Sequence, residues 1–356
     1  MNVSKLYKAI EEHRKHFGKA LTIMGHHYQA DEVIRHTDLR GDSLELSRQV
    51  SQVESEQIIF CGVYFMAESA ALLARPGQKV HLPEPSAECS MAMMSPAPLL
   101  DKVLELLTSQ GRKVLPLVYV NSTLAVKASV GRHNGAACTS ANARAMLDWA
   151  LKESDAVLFL PDRNLGQNMA KELGLPLSRQ HILNIKDNAD QLDLAAAKQA
   201  RLLLWPGFCS IHTRFNLRQI ERVRQEYPGV TVIVHPECTP EVVAAADKAG
   251  STSFIIRFAA ALPAGSTLAI GTEINLVERL AAEHQGRITI VPLVESACTH
   301  MAQTTEESLG KALDALQDME AGGENQTPSP FLVRIPEEFK VPAKATLERM
   351  FKVCGL

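Results

Sequence analysis

A pattern that returns three times constrains this chain more than any other feature. Short apolar runs alternate with helix-like stretches, as expected of a parallel sheet whose strands are joined by helical crossovers. The clearest runs are Ala20 to Met24, Gln57 to Cys61, Val114 to Val120, Ala156 to Leu160, Arg201 to Leu204, Val230 to Val234, Thr267 to Ile270 and Arg287 to Val291. Open parallel sheets bind ligands at the loops that leave the carboxyl ends of their strands. The phrases that follow these runs therefore carry the functional information.

Those phrases form three groups of four. The first is His26-His27-Tyr28-Gln29, Gly41-Asp42-Ser43, the stretch Gly62 to Glu68, and Ser86-Ala87-Glu88-Cys89. The second is Tyr119-Val120-Asn121-Ser122, the stretch Cys138 to Asn142, the stretch Asp162 to Gly166, and Trp205-Pro206-Gly207-Phe208-Cys209. The third is His235-Pro236-Glu237-Cys238, Ser251-Thr252-Ser253, Gly271-Thr272-Glu273, and Glu295-Ser296-Ala297-Cys298. His26 lies 63 positions before Cys89, and His235 lies 63 before Cys298; the middle group is longer, 90 positions from Tyr119 to Cys209. A polar first loop, a hydroxyl second loop and a cysteine fourth loop favour internal triplication.

The expected organisation is three pseudo-repeated αβα domains with parallel sheets. Residues 1–97 carry Cys89, 98–215 carry Cys209 and 216–303 carry Cys298, with a helical tail over 304–356. If the units pack around one axis, their strand-end loops and the three cysteines converge on a central cavity. The stretches 98–112 and 216–229 read as helical passages between units. In the tail, a helix from Thr304 to Met319, a flexible Gly- and Pro-rich piece from Ala321 to Pro330 and a helix from Ala343 to Val353 are expected to close the structure.

Composition narrows the function classes. Hydrophobic residues make up 46% of the 356 residues, enough for real cores, and charged residues 22%. The net charge of −3, with both signs mixed along the chain, gives no case for nucleic acid or an anionic membrane. An anionic small substrate must then be held by local groups. Met1 to Ala20 spreads seven charged residues where a signal peptide needs an apolar core, and no apolar run spans a bilayer. Seven cysteines without a disulfide-scaffold context fit a reducing cytoplasm.

Any single cysteine is ordinary core filler, and no C-x-x-C pair gives a zinc or ferredoxin spacing. The repeat singles out Cys89, Cys209 and Cys298, each at the end of a fourth phrase. Three thiolates leave a fourth metal position open, which on an iron-sulfur cluster acts as a Lewis acid. Cys61, Cys138, Cys238 and Cys354 have no such symmetry and default to packing. His26, His27 and His235 follow apolar runs and His212 lies three residues past Cys209, which makes them better acid–base candidates than His133, His181, His284 or His300. Ser43, Ser140 and Thr252 precede helical stretches, where a hydroxyl either caps the helix or helps cradle an anion.

On these phrases the chain resembles the quinolinate synthases. The resemblance rests on His26-His27-Tyr28-Gln29, Gly41 to Leu46, Tyr119-Val120-Asn121, Leu160-Pro161-Asp162, Trp205 to Cys209 with His212, His235 to Cys238, Gly250 to Ser253 and Gly271-Thr272-Glu273. It runs from about residue 20 to about 305. It implies a pseudo-threefold arrangement with the active site at the central junction, and one 4Fe-4S cluster on Cys89, Cys209 and Cys298 with one iron lacking a protein ligand. It also implies condensation of iminoaspartate (iminosuccinate) with dihydroxyacetone phosphate to quinolinate, releasing phosphate and water on the route to NAD. A functional link with an aspartate-oxidising enzyme goes with that substrate. Some members carry a run of cysteines around the last ligand; here Cys298 stands alone, so disulfide regulation there is not expected.

The resemblance assigns substrate binding to His26, Ser43, Tyr119, Asn121, Ser140, His235, Glu237 and Thr252. Tyr28, Tyr119, His212, His235 and Glu237 are the candidates for proton transfer, with no step allotted to any one of them. The rival readings are another 4Fe-4S hydro-lyase, which would differ in its product, and a non-catalytic small-molecule binding protein, which would purify colourless.

Overall fold

The computed structural model describes residues 3–109, 111–322 and 329–355. Much of the Gly- and Pro-rich piece expected between Ala321 and Pro330 lies outside the described residues. Among those described, thirteen strands form three sheets, and every neighbouring pair is parallel.

One compact unit comprises Met1–Cys89 with Ala297–Ile335. Its sheet contains β1 (Leu21–His26), β2 (Leu39–Gly41), β3 (Gln57–Cys61) and β4 (Lys79–His81), in the order β2-β1-β3-β4. The amphipathic helices Val3–Phe17 and Glu306–Gly322 contribute to one core. Ile10 and Phe17 from the first, and Leu309, Leu313 and Leu316 from the second, meet Ile23 and Ile59 of the sheet. The spacing 309, 313, 316 is that of one helix face. Polar groups tie the same elements together: the buried His36 ring lies 3.0 Å from Glu11 and 2.7 Å from Glu306.

The other compact unit comprises Ser90–Ser296 with Pro336–Leu356 and holds two sheets. The first contains β5 (Val114–Tyr119), β6 (Ala136–Cys138), β7 (Ala156–Leu160), β8 (Gln180–Ile182) and β9 (Leu202–Leu204), in the order β6-β5-β7-β9-β8. The second contains β10 (Thr231–Val234), β11 (Lys248–Ala249), β12 (Thr267–Gly271) and β13 (Thr289–Pro292), in the order β11-β10-β12-β13. Apart from β8, all three sheets share one order: second, first, third, last. The triplication expected from the phrases is thus present in the topology, and β8 with its neighbouring turns accounts for the longer middle group.

All eight strands expected from apolar runs are present. The five others, β2, β4, β6, β8 and β11, are two or three residues long and all lie on sheet edges. Interior strands such as β5 and β7 are buried along their whole length and read as continuous apolar runs. Short edge strands leave too little pattern to see.

The last helix, Glu337–Cys354, packs on the helix Leu124–Arg132 and on β6. Gly131 makes that approach feasible, because a Cβ there would lie 2.0 Å from the Pro342 carbonyl oxygen. Thr346 Oγ1 donates to the Lys127 carbonyl at 2.8 Å. Among the described residues, no helix is long and apolar enough to cross a membrane.

Candidate active site

In a sheet ordered second, first, third, last, the chain reverses direction beside the first strand, and the crevice at that switch point is where such sheets bind ligands. Each sheet has its own such point, at the carboxyl end of β1, β5 or β10; His26 and Tyr119 end β1 and β5, and His235 follows β10. In the second unit, the loop after β9 meets the residues at the ends of β5 and β10. Its shape depends on Gly207, where a Cβ would lie 2.6 Å from the Pro161 carbonyl oxygen. Trp205 Nε1 donates to the Met94 carbonyl at 2.7 Å, and the Cys209 N–H donates to Asp162 Oδ2 at 3.1 Å. Asp162 also caps the helix Arg163–Glu172, accepting from the Leu165 N–H at 2.9 Å.

Past Cys209 the chain makes a short turn that brings His212 into the interior. Its Nδ1 lies 2.6 Å from Glu237 Oε2 and 3.2 Å from Cys209 Sγ, and its Nε2 lies 3.1 Å from Thr272 Oγ1. Its ring stacks on that of His235, with centroids 4.3 Å apart and planes 18° from parallel. Glu237 also receives a side-chain hydrogen bond from Tyr119. Four predicted residues, Tyr119, His212, His235 and Glu237, thus form one buried network with Cys209 at its edge. Cys209, His212 and Glu237 have ligand atoms within 4.8 Å of one another and form the one such trio found among the described residues.

The network fixes its own charges. Burial opposes ionisation of Glu237, but the charge interactions with His235 and His212 and the hydrogen bonds from His212 and Tyr119 take its pKa down to about 2. Burial, reinforced by His212 and opposed by Glu237, takes His235 down to about 3. His235 is therefore neutral near pH 7. Its Nδ1 accepts the Glu237 N–H at 3.4 Å, so the ring proton sits on Nε2. Burial and the nearby Glu237 charge push Asp162 well above the usual carboxylate range, against three backbone N–H groups that favour its ionised form.

The first unit repeats part of this arrangement. The Tyr28 N–H donates to His26 Nδ1 at 3.1 Å, as Glu237 does to His235, and the His26 and Tyr28 rings meet edge to face with centroids 4.8 Å apart. Gln29 Nε2 lies 3.4 Å from Met301 Sδ, which joins this loop to the segment after Cys298.

The hydroxyl residues do not act as caps. Asp42 caps the helix Ser43–Val50 and Ser251 caps the helix Thr252–Ala261, which puts Ser43 and Thr252 at the first helical position. Ser140 lies two residues before Asn142, the residue that precedes the helix Ala143–Glu153. Asn121 Oδ1, buried at the end of β5, has no hydrogen-bond partner among the described residues.

Burial sorts the cysteines. Cys61, Cys138 and Cys238 are fully buried, and burial raises their pKa, to about 12 for Cys61 and well above the ordinary value for the other two. Cys89, Cys209, Cys298 and Cys354 are half-buried. Asp162, Asn164, Asn168 and Thr272 were not among the expected site residues. Asp162, Asn164 and Thr272 stand in the third phrases of their groups, so the repeat held the signal for all three. Asn168 carried none beyond its place on a helix after a strand.

The family model described as Quinolinate synthetase A protein matches residues 8–352. A quinolinate synthase of Corynebacterium glutamicum is 43% identical over 354 residues, covering 98% of this chain and 88% of its own. One from Halalkalibacterium halodurans is 41% identical, covering 97% and 93%. One from Bacillus pumilus is 45% identical over 285 residues, covering 80% and 77%.

Proposed function

The chain belongs to the quinolinate synthase family, and from that premise we propose that it condenses iminoaspartate with dihydroxyacetone phosphate, releasing quinolinate, phosphate and water in NAD synthesis. The observation that carries this reading is Glu237, a buried carboxylate held ionised among His212, His235 and Tyr119 at the ends of parallel strands. Isomerisation and dehydration both need positioned acids and bases, and this group stands ionised at neutral pH, hydrogen-bonded by His212 and Tyr119.

The family implies an iron-sulfur cofactor, and the donor set fits one. Cys89, Cys209 and Cys298 are half-buried thiols on loops, whereas Cys61, Cys138 and Cys238 are buried and the half-buried Cys354 ends the last helix. Soft thiolates select iron-sulfur clusters. The competing trio of Cys209, His212 and Glu237 is committed elsewhere, because His212 Nδ1 donates its proton to Glu237. We assign one 4Fe-4S cluster to Cys89, Cys209 and Cys298, with one iron lacking a protein ligand. When bound, that iron supplies Lewis acidity toward a substrate oxygen.

The chain's own residues have distinct tasks. Glu237 takes a proton, Tyr119 donates to it, and His212, backed by Thr272, fixes its orientation. His235 presents its Nε2–H to a substrate oxygen, and in the first unit His26 and Tyr28 offer a second donor pair. Asp42 and Ser251 take the capping role, which leaves the hydroxyls of Ser43 and Thr252 to bind carboxylate or phosphate. Ser140 and the partnerless Asn121 Oδ1 complete the polar set. Cytoplasmic residence and a functional link with an aspartate-oxidising enzyme, whose product would be the imine substrate, follow from the same reading.

The test is product analysis. Protein purified anaerobically, with iron and sulfide measured, is given iminoaspartate and dihydroxyacetone phosphate. Quinolinate and phosphate should appear in equal amounts. A fully loaded protein that makes no quinolinate overturns the assignment; a different dehydration product would make it another hydro-lyase, and a colourless, inert protein a binding protein.

A further inference from the structure

The helix Arg163–Glu172 connects two loops that the reaction needs in fixed relation. At its amino end, Asp162 accepts the Cys209 N–H at 3.1 Å, and the Arg163 N–H donates to the Gly207 carbonyl at 2.9 Å. About one and a half turns further on, Asn168 Nδ2 donates to the Pro236 carbonyl at 2.8 Å and to the Cys238 carbonyl at 2.9 Å, gripping the backbone on both sides of Glu237. Asn164 Nδ2 reaches the Glu237 carbonyl itself at 3.4 Å. All three side chains are at least 97% buried. The helix lies hard against its sheet, because a Cβ at Gly166 would stand 2.5 Å from Leu204 and 2.9 Å from Phe159.

We infer that this helix is a positioning bracket: Asp162 sets the backbone of Cys209, Asn168 sets the backbone of Glu237, and one rigid element fixes the thiolate and the base together. The inference rests on the roles proposed above for Cys209 and Glu237. Asp162 and Asn168 act through those residues and need touch no substrate. The physical reason for asparagine at 168 is that one Nδ2 group carries two protons, and two carbonyls leave the chain there within reach of both. A leucine of similar size would leave both carbonyls without a donor.

A double-mutant cycle tests the bracket, with rates expressed per cluster. Asn168→Leu should lower kcat about tenfold or more while KM changes less than about threefold, because a misplaced base slows chemistry more than binding. Combined with Glu237→Gln, it should cost little beyond Glu237→Gln alone, since a residue acting through Glu237 has nothing left to position. Asn168→Ser, which keeps one donor, should fall between, and it serves if the leucine variant does not fold. Independently of activity, Asp162→Ala removes the acceptor for the Cys209 N–H and should shift the paramagnetic resonance of the reduced cluster, whereas Asn168→Leu should not. Additive losses in the cycle, or normal kcat in Asn168→Leu, overturn the Glu237 arm; an unshifted resonance in Asp162→Ala overturns the Cys209 arm. If Glu237→Gln itself turns over normally, the base reading fails and the bracket falls with it. If Glu237→Gln is slow and Asn168→Leu is not, the bracket alone is wrong.

Discussion

Nδ1 of His212 stands 2.6 Å from a carboxylate oxygen of Glu237, 25 positions further along the chain, with both side chains almost wholly buried. A pair so placed either stabilises the fold or prepares a base, and substitution separates the two. Glu237→Gln keeps the size and much of the hydrogen bonding but cannot take a proton. Turnover per cluster should fall about 100-fold or more, the usual worth of general acid–base catalysis, with iron and sulfide contents near normal. Loss of cluster with undiminished turnover in what remains would mark Glu237 as structural.

Serine at Cys89, Cys209 or Cys298 should remove the brown chromophore and the activity. Serine at Cys61, Cys138, Cys238 or Cys354 should leave both, at some loss of stability where the thiol is buried. Iron and sulfide analysis of anaerobic preparations decides, and an intact cluster in Cys209→Ser would sink the ligand assignment.

An iron without a thiolate is open to oxidants. Air should bleach the wild-type protein and stop turnover, and iron with sulfide under anaerobic conditions should restore it. Full activity after prolonged aeration with a chelator would exclude the open position.

Gly166→Ala brings a methyl group into Leu204 and Phe159. The gain in helix propensity, about 1 kcal/mol, is outweighed by overpacking of about 1–3 kcal/mol, so the melting midpoint should drop. Turnover should drop with it, since the displaced helix carries Asn168. The double variant Gly166→Ala/Leu204→Ala should lose less than the two single losses added together. Strict additivity in thermal melts would show that the clash is not the cause.

His81 is fully buried in the first unit, with Nε2 2.9 Å from Gln57 Oε1, and burial, with a smaller contribution from Lys79, lowers its pKa from 6.5 to about 4. Between those values the unfolded chain binds the proton and the folded one does not. Stability should therefore be complete above pH 6.5, decline as pH falls toward 4, and lose nothing more from this group below that. The ceiling is about 3 kcal/mol. His81→Gln should flatten the decline in denaturant titrations across that window; an unchanged slope would show that other groups carry it.

The sequence already determined the class of fold, the interior strands and the threefold recurrence. Each follows from a local or periodic property: a buried strand must be apolar along its length, and a repeated unit repeats its loops. The brief edge strands, only half-committed to a core, left no such trace. The pairing of His212 with Glu237, the hidden carboxyl of Asp162 behind Cys209, and the grip of Asn168 on either side of Glu237 were decided only by tertiary structure. They join residues 25, 47 and about 70 positions apart. No spacing rule encodes such contacts, because distances of that kind are fixed by how a helix packs on its sheet, and charge states at the site follow from the burial that packing imposes.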